Sequence, residues 1–368
     1  MINDGQNINL FSRRLDHAGV VMESTGNIFV TNINASTEVI SNGGFRVWFS
    51  RASLKGQYNI GFADWTPGEN ASVHDAILTS EIPDDPQSML VIKNLPEGWM
   101  PVQPNHIMLP SGKHRLYFWV HSKGVCRFLA AESTDGIVYT VINAYDPCLY
   151  HHNDRTVSAR LAGTAGLTIG EKNVQKEQWE QEAPIEMLSN DSTNVYLLPD
   201  GSFEMFTVAL KQVQSNNKRY ISIDNAPGMI RQIARRTSKD GLTWSSGQIV
   251  ITPDDDDAPG LQNYGLSVTH TEYGRIGLLG HYRADEQTLD IEYCFSKDGI
   301  HWQRNWRDSL MERPTGVMMQ LSPNRIIQAD GKWWFFYTAC NFDHNFKFEG
   351  NNATTKIKAA SISLLNQA

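Results

Sequence analysis

Short runs of β-forming residues alternate with tight polar turns along this chain, and one combination returns. The segments TSKDGLTW at 237–244 and FSKDGIHW at 295–302 share a Ser-Lys-Asp-Gly core, with a Trp three positions after the Gly. A run of β-forming residues precedes each turn, which is typical of strand, turn and strand. A weaker copy surrounds Asp135 and Gly136, with Tyr139 in the place of the Trp.

A second repeated pattern lies upstream of these turns. The segments PNHIMLPSGKHRLYFWV, TNVYLLPDGSFEMFTV and PNRIIQADGKWWFFYT align on a Gly, with an Asn seven positions before it. Two looser copies, ASTEVISNGGFRVWFS and LSVTHTEYGRIGLLGHY, have a Ser at that offset. Five two-stranded hairpins are therefore predicted, and their small polar residues are Ser36, Asn105, Asn194, Ser267 and Asn324.

The hairpins begin near residues 35, 104, 193, 266 and 323. Each leads into a third strand, and such units must stack on one another to bury their faces. We predict an all-β protein, a five-bladed β-propeller with four-stranded antiparallel blades that forms a single domain over residues 1–368. A polar insertion is predicted at 144–184. The Asp-Gly pairs are interpreted as hairpin turns and the Trp or Tyr as packing between blades, without a chemical role.

Composition narrows the range of partners. The 368 residues include 32 Lys and Arg against 40 Asp and Glu, for a formal net charge of -8. With no basic stripe, neither nucleic acid nor an anionic membrane is an expected partner. No apolar run approaches the roughly 18 residues of a membrane span, and the N-terminus lacks a signal-peptide pattern, so we expect a cytoplasmic protein unless a leader was trimmed. The four cysteines form no CxxC pair and are interpreted as reduced.

The turn S-K-D-G-x-x-W resembles a shortened Asp-box of sialidases, and more closely the turn of five-bladed glycoside hydrolases such as families 32, 43, 117 and 130. The chain is also similar to bacterial sialidase-like or family-32-like propellers in which a D-x-x-N-V segment opens the middle blade. Here that segment has Asp191 three positions before Asn194. The resemblance covers residues 30 to 365 and implies a glycoside hydrolase with three carboxylates in the channel. The NDPNG-type and RDP-type segments of those families are absent.

Glycoside cleavage needs a proton donor and a carboxylate on opposite sides of the scissile bond. Asp191 is the first catalytic candidate, and Asp16, Asp154 and Glu186 compete for the partner role. In the first blade, Glu38 inside the predicted strand is an alternative carboxylate to Asp16. No cofactor is expected. No metal site is expected either, because the adjacent histidines of YHHNDR would face opposite ways in a strand.

A second group of residues is predicted to orient an oligosaccharide or glycoside substrate. By strand alternation Asp191, His106 and Arg325 share one orientation, and a carboxylate, an imidazole and a guanidinium suit a polyhydroxylated or anionic ligand. The arginines favour an acidic or phosphorylated sugar. The predicted substrate-binding residues are His106, Arg325, Asn194, Tyr264, Arg155 and His281.

Alternatives stay open at this point. His106 and Arg325 can instead hydrogen-bond neighbouring blade ends, and the repeated small polar residues can cap neighbouring strands. The alternative function is a non-catalytic propeller that binds sugar or protein. Two or three channel carboxylates within glycosidase distance favour the enzyme, and one or none favours the binder.

Overall fold

The computed structural model describes residues 11–24, 28–31, 35–53, 56–77, 89–157, 187–305, 307, 309–311, 313–321, 325–345 and 353–364, with the backbone alone at 11–15, 28, 77, 191 and 362–364. Strands dominate these ranges, and a helical turn spans 155–157. No helix in them is long and apolar enough to cross a membrane. The predicted insertion lies outside the described residues from 158 onward.

The described strands are, in chain order, β1 (Phe11–Glu23), β2 (Ile28–Thr31), β3 (Thr37–Val39), β4 (Phe45–Ser53), β5 (Tyr58–Trp65), β6 (Ser72–Ile77), β7 (Leu90–Lys93), β8 (Met100–Met108), β9 (His114–Ser122), β10 (Val125–Ser133), β11 (Val138–Val141), β12 (Leu149–Tyr150), β13 (Leu188–Leu197), β14 (Phe203–Gln212), β15 (Met229–Ser238), β16 (Gln248–Ile251), β17 (Leu261–Thr271), β18 (Gly274–Arg283), β19 (Thr288–Ser296), β20 (Met319–Leu321), β21 (Ile327–Ala329), β22 (Lys332–Cys340) and β23 (Thr355–Leu364).

These strands form the five blades of a propeller, as predicted. Blade 1 has β2 and β3 as its inner strand, followed by β4, β5 and β6, and blade 2 runs from β8 to β11. Blade 3 contains β13 to β16, and blade 4 contains β17 to β19. In blade 4 the fourth position is taken by a segment that forms isolated bridges with β19 at Gln303 and Ser309. Blade 5 has β20 and β21 on the inner edge of β22, then β23 and β1.

The two ends of the chain close the propeller together. β1 pairs with β23 from Glu23 opposite Lys356 to Phe11 opposite Leu364. The backbone N–H of Val30 donates to Thr355 Oγ1 at 2.9 Å, which ties blade 1 to the same strand. The outer strand of blade 5 therefore comes from the start of the sequence, and closure depends on contacts between residues more than 300 positions apart.

Apolar side chains fill five interfaces, one between each pair of neighbouring blades. This is expected when both faces of every blade are covered by another sheet, because each sheet face must bury its apolar residues. Examples in the order of the interfaces, from blades 1 and 2 to blades 5 and 1, are Trp48, Phe128, Phe206, Phe335 and Phe45.

The repeated Asp-Gly turns have the predicted backbone. Gly136, Gly241 and Gly299 have φ angles of 74°, 72° and 78°. In the turn at Asp240, the carboxylate accepts the N–H groups of Leu242 at 2.7 Å and Thr243 at 2.8 Å. The aromatic residues three positions after the glycines, Tyr139, Trp244 and Trp302, pack into clusters between blades. The turn therefore recurs because each blade needs the same strand connection.

Candidate functional site

Every inner strand is interrupted opposite the middle of the second strand of its blade. The pairing register shifts at 102–105 in blade 2, at 189–193 in blade 3 and at 263–266 in blade 4. In blade 1 the pairing with β4 passes from residue 31 to 37, and in blade 5 the pairing with β22 passes from 321 to 327. We call these five interruptions the bulge ring. Bulges redirect side chains and are common beside active sites.

A belt of hydrogen bonds beside the bulge ring links the inner strands of blades 1 and 2, 2 and 3, 3 and 4, and 4 and 5. Its links are Ser36 Oγ to His106 O at 3.2 Å, Asn105 Nδ2 to Thr193 O at 3.0 Å, Asn194 Nδ2 to Leu266 O at 2.8 Å and Thr269 Oγ1 to Ile326 O at 2.9 Å. Ser36, Asn105 and Asn194 thus cap neighbouring strands, which was one of the two interpretations of the repeat. Asn324 lies outside the described residues.

On the side of the belt where the inner strands begin, called here the amino-end side, the structure places Asp191, Tyr264 and His281. The backbone of Asp191 lies within the interruption of β13, and Tyr264 lies within that of β17. His281 is on β18, directly opposite Asn263. The extra residues in this interruption break the strand alternation between Asp191 and Asn194. The direction of the Asn194 side chain therefore does not predict that of Asp191.

Several buried polar side chains at the bulge ring have atoms without a hydrogen-bond partner among the described residues, and three of these side chains are Gln103, Asn263 and His281. Their unpartnered atoms are Gln103 Oε1, both amide atoms of Asn263, and His281 Nδ1. Gln103 also has a φ of 58°, in the left-handed region that non-glycine residues seldom adopt. Buried polar groups are normally hydrogen-bonded, and an unsatisfied one costs about 1–3 kcal/mol. A ligand with several hydroxyl groups would supply the missing partners.

Burial, assisted by nearby arginine charges, keeps the imidazole of His281 neutral. Burial lowers the pKa of His281 to about 4, and the charges of Arg283 and Arg304 contribute in the same direction. Its neighbour on β19 is Asp290, which is bound by Arg283 and by Arg313 Nε at 2.8 Å. At neutral pH His281 is therefore able to offer both a donor and an acceptor to a ligand.

Tyr264 is partly buried and belongs to a network of polar side chains. Its hydroxyl lies 2.9 Å from His344 Nε2. The hydroxyl of Tyr282 donates to Asp224 Oδ1 at 2.8 Å, and Asp224 in turn accepts Arg231 Nη1 at 2.9 Å. His344 Nδ1 lies 3.2 Å from the Tyr282 hydroxyl, so the network joins blades 3 and 4 to the connection between β22 and β23 of blade 5 and holds the Tyr264 ring in place.

His106 and Arg325 lie on the other side of the belt, where the inner strands end, called here the carboxyl-end side. Both line a cavity of about 900 Å³ together with Glu38 and His270. His106 stacks on Trp48 with ring centroids 5.1 Å apart. Its Nδ1 hydrogen-bonds to Glu38 Oε1. The structure thus brings His106 and Arg325 together, but around Glu38 rather than around Asp191.

Asp154 lies away from the channel, beside β10, which is the third strand of blade 2. It is fully buried beside β10, where it accepts Arg127 Nε at 3.0 Å and the backbone N–H groups of Cys126 at 3.0 Å and Thr156 at 2.8 Å. Burial raises the pKa of Asp154, but these hydrogen bonds and the Arg127 charge lower it by more than burial raises it. The carboxylate therefore stays ionised. The structure therefore ties Asp154 to the outer part of blade 2.

Two other predicted residues, Arg155 and Asp16, are not brought to the channel. Arg155 follows Asp154 and is exposed on the helical turn. Asp16 is exposed on β1, the outermost strand of blade 5. Glu186 lies outside the described residues. Among the residues with described side chains, no three His, Cys, Asp or Glu are grouped in a way that could hold a metal ion.

Sequence reasoning missed Gln103 and Asn263 as candidates and weighed Glu38 only as an alternative carboxylate of the first blade. Gln103 stands inside a bulge and Asn263 directly before one, and a single added residue in a strand leaves no periodic signal in the sequence. Glu38 lies inside a predicted strand, and its importance arises from His106 in the next blade, 68 positions away. No local pattern indicates such a pair.

Solved structures with the same fold were found, whereas no protein-family profile and no curated protein sequence matches the chain. A thermostable family-43 glycoside hydrolase is 12% identical with a TM-score of 0.55, over 96% of this chain and 95% of that one. A structure from a study of family-130 mannoside phosphorylases and glycoside hydrolases acting on β-1,2 mannosidic linkages in Candida mannan is 12% identical with a TM-score of 0.54, over 98% and 95%.

An N-acetylgalactosamine deacetylase from F. plautii, in complex with blood group B trisaccharide, is 12% identical with a TM-score of 0.52, over 95% of each chain. At this level of identity the likeness concerns the fold, which covers nearly the whole length of each protein. The same fold carries hydrolases and a deacetylase, so it does not by itself specify a reaction. The protein therefore has the five-bladed propeller fold that these structures share.

Proposed function

We propose that the protein is a carbohydrate-active enzyme that cleaves a glycosidic bond on the amino-end side of the bulge ring, with Asp191 as a reacting carboxylate. The observation that carries this proposal is the coincidence of the bulge ring with the unpartnered buried atoms of Gln103, Asn263 and His281. Such atoms are stabilised by a ligand that both donates and accepts hydrogen bonds, as sugar hydroxyls do.

Each residue has a separate role in this proposal. Asn263 and the neutral His281 bind sugar hydroxyls. Gln103 Oε1, on the opposite side of the channel, accepts a hydrogen bond from another hydroxyl. Asp191 acts on the glycosidic oxygen or the anomeric carbon, as one member of the carboxylate pair that glycoside hydrolysis requires. The saccharide-related names of proteins with this fold support the substrate class.

A binding protein without turnover is the second candidate, and one observation favours it. Asp290, the carboxylate beside His281, is bound by Arg283 and Arg313 and is poorly suited to act as a base or nucleophile. In that case Asp191 would contribute a hydrogen bond to the sugar and no chemistry. The two candidates differ in turnover and agree in binding.

The test compares the wild-type protein with Asp191→Asn on a panel of neutral and acidic oligosaccharides, with calorimetry for binding and product release for turnover. We expect Asp191→Asn to lower kcat by about 10²-fold to 10⁴-fold while affinity changes little, because only proton or group transfer is lost. Asp255→Asn is the control, since the side chain of Asp255 is 93% exposed. Unchanged turnover in Asp191→Asn contradicts the assignment, and binding without turnover in the wild type supports the second candidate.

A further inference from the structure

The cavity on the carboxyl-end side has the size and lining of a binding site of its own. It measures about 900 Å³, within the range of small-molecule pockets. Inner strands from all five blades line it. Its polar lining includes Glu38, His106, His270 and Arg325, and its apolar walls include Tyr196 and Trp333. The hydrogen-bond belt lies between this cavity and the amino-end side.

Glu38 presents a negative charge to the cavity. Burial raises the pKa of Glu38, but the hydrogen bond from His106 and the charges of His106, Arg325 and Arg46 lower it more, so the carboxylate is ionised at neutral pH. Its Oε1 is occupied by His106 Nδ1, and His106 Nε2 lies 2.9 Å from His114 Nδ1. The His106 and His114 rings hold the carboxylate in position, and its second oxygen can accept a hydrogen bond from a ligand.

Arg325 faces the same cavity with unused hydrogen-bonding capacity. Its Nε is buried and has no hydrogen-bond partner among the described residues. Its Nη2 makes a long contact of 3.5 Å with Thr37 O. Arg325 is near enough to Glu38 to influence its ionisation, yet the two described side chains form no ion pair. A guanidinium with free N–H groups favours a planar oxyanion that accepts two of them.

Together these charges discriminate between ligands. Arg325 favours a ligand with an anionic group. A group with two negative charges would be repelled by the Glu38 carboxylate in the same cavity. A carboxylate carries a single charge and matches the guanidinium fork. Hydroxyl groups on the same ligand satisfy the free oxygen of Glu38.

We propose that this cavity is a second binding site, separate from the proposed catalytic site, for a hydroxylated carboxylic acid such as a sugar acid. Arg325 binds the ligand carboxylate, and Glu38 accepts a ligand hydroxyl. His106 is a positioning residue that orients Glu38. The site is independent of the reaction proposed for the amino-end side and exists whether or not Asp191 is catalytic.

Calorimetry with D-glucuronate, D-glucose and glucose 6-phosphate tests the ligand class on the wild-type protein. D-Glucuronate is expected to bind more tightly than the other two. Arg325→Gln should weaken D-glucuronate binding on the order of tenfold to a hundredfold, the usual contribution of a charged hydrogen bond. Arg51→Gln is the matched control, because Arg51 also has a buried unpartnered Nε but is bound to Asp75, away from the cavity. The control should keep wild-type affinity.

Two further measurements locate the site and remain informative if Arg325→Gln does not fold. Asn263→Ala should bind D-glucuronate within about twofold of wild type, because a ligand held by Asn263 at the amino-end side would lose affinity in that variant, whereas a ligand in this cavity would not. The thermal midpoint of the wild-type protein should rise with D-glucuronate and not with D-glucose. Equal effects of the two sugars, no effect of D-glucuronate, or full affinity in a folded Arg325→Gln protein would each overturn the proposal.

Discussion

At the scale of single residues, Glu204 joins blades 3 and 4. Its side chain is fully buried and accepts Arg235 Nε at 2.6 Å, His270 Nε2 at 2.7 Å and Arg275 Nε at 2.9 Å. Burial raises the pKa of Glu204, but these hydrogen bonds outweigh burial and hold the pKa at about 2. The ordinary value of 4.5 applies in the unfolded chain, so stability from this group is complete above pH 4.5 and is lost as pH falls toward 2.

We predict that Glu204→Gln lowers the free energy of unfolding by about 3 kcal/mol at pH 7, since 2.5 pKa units correspond to roughly that amount. The acid dependence between pH 4.5 and pH 2 should also become shallower. Denaturant unfolding over a pH series measures both. Glu132→Gln is the control, because Glu132 pairs with Arg115 at a partly exposed site, where such pairs contribute less than about 1 kcal/mol. Equal losses in the two variants would contradict the assigned role of Glu204.

At the scale of elements, the Asp-Gly turn of blade 3 is fitted against blade 2. A Cβ added at Gly241 would lie 2.4 Å from the hydroxyl of Tyr117, and the φ of Gly241 is +72°. Gly201, in the turn between β13 and β14, has a φ of +82° and open space around it. The two positions share the backbone requirement and differ in the contact with the neighbouring blade.

We predict that Gly201→Ala destabilises the protein by about 1 kcal/mol, through its positive φ alone. Gly241→Ala should cost about 1–3 kcal/mol more, because the added methyl group must displace Tyr117. Chemical denaturation of both variants measures the difference. Equal destabilisation would mean that Tyr117 moves aside freely and that the turn is not held by the neighbouring blade.

At the scale of the whole molecule, β1 completes blade 5 from the far end of the chain. Its removal would expose the edge of β23, and exposed edges favour association with other strands. We predict that a chain without residues 1–23 has a thermal midpoint about 10 °C lower or more and aggregates on heating. A chain without residues 1–10 is the control, since these precede β1. Calorimetry and light scattering measure both effects, and identical behaviour would show that closure by β1 is dispensable.

The repeat predicted the fold because its information is local. The Asp-Gly turns at 240 and 298 follow directly from the turn chemistry of a few neighbouring residues, and the aromatic positions indicate packing between blades. The small polar residues seven positions before the hairpin glycines likewise predicted contacts between neighbouring strands, which Asn105 and Asn194 make. Five copies of such a unit, none able to bury its faces alone, favour a closed propeller.

The candidate site could not be predicted to the same extent. Strand alternation placed Asp191, His106 and Arg325 on one face, but interruptions in the inner strands separate them into two sides of the channel. Asp154 and its partner Arg127 are 27 residues apart, and nothing in the segment YHHNDR indicates that its carboxylate is already bound. The chemistry of these groups depends on which residue of a distant strand lies beside them.

The sequence by itself therefore determined the repeating unit, the number of blades and the kind of turn that joins their strands, because these depend on residues within one blade. Only the tertiary structure decided where the inner strands break, which side of the hydrogen-bond belt each polar residue occupies, and which carboxylates are neutralised by arginines. These outcomes depend on contacts between blades, and a side chain's partner there lies from tens to hundreds of positions away in the chain.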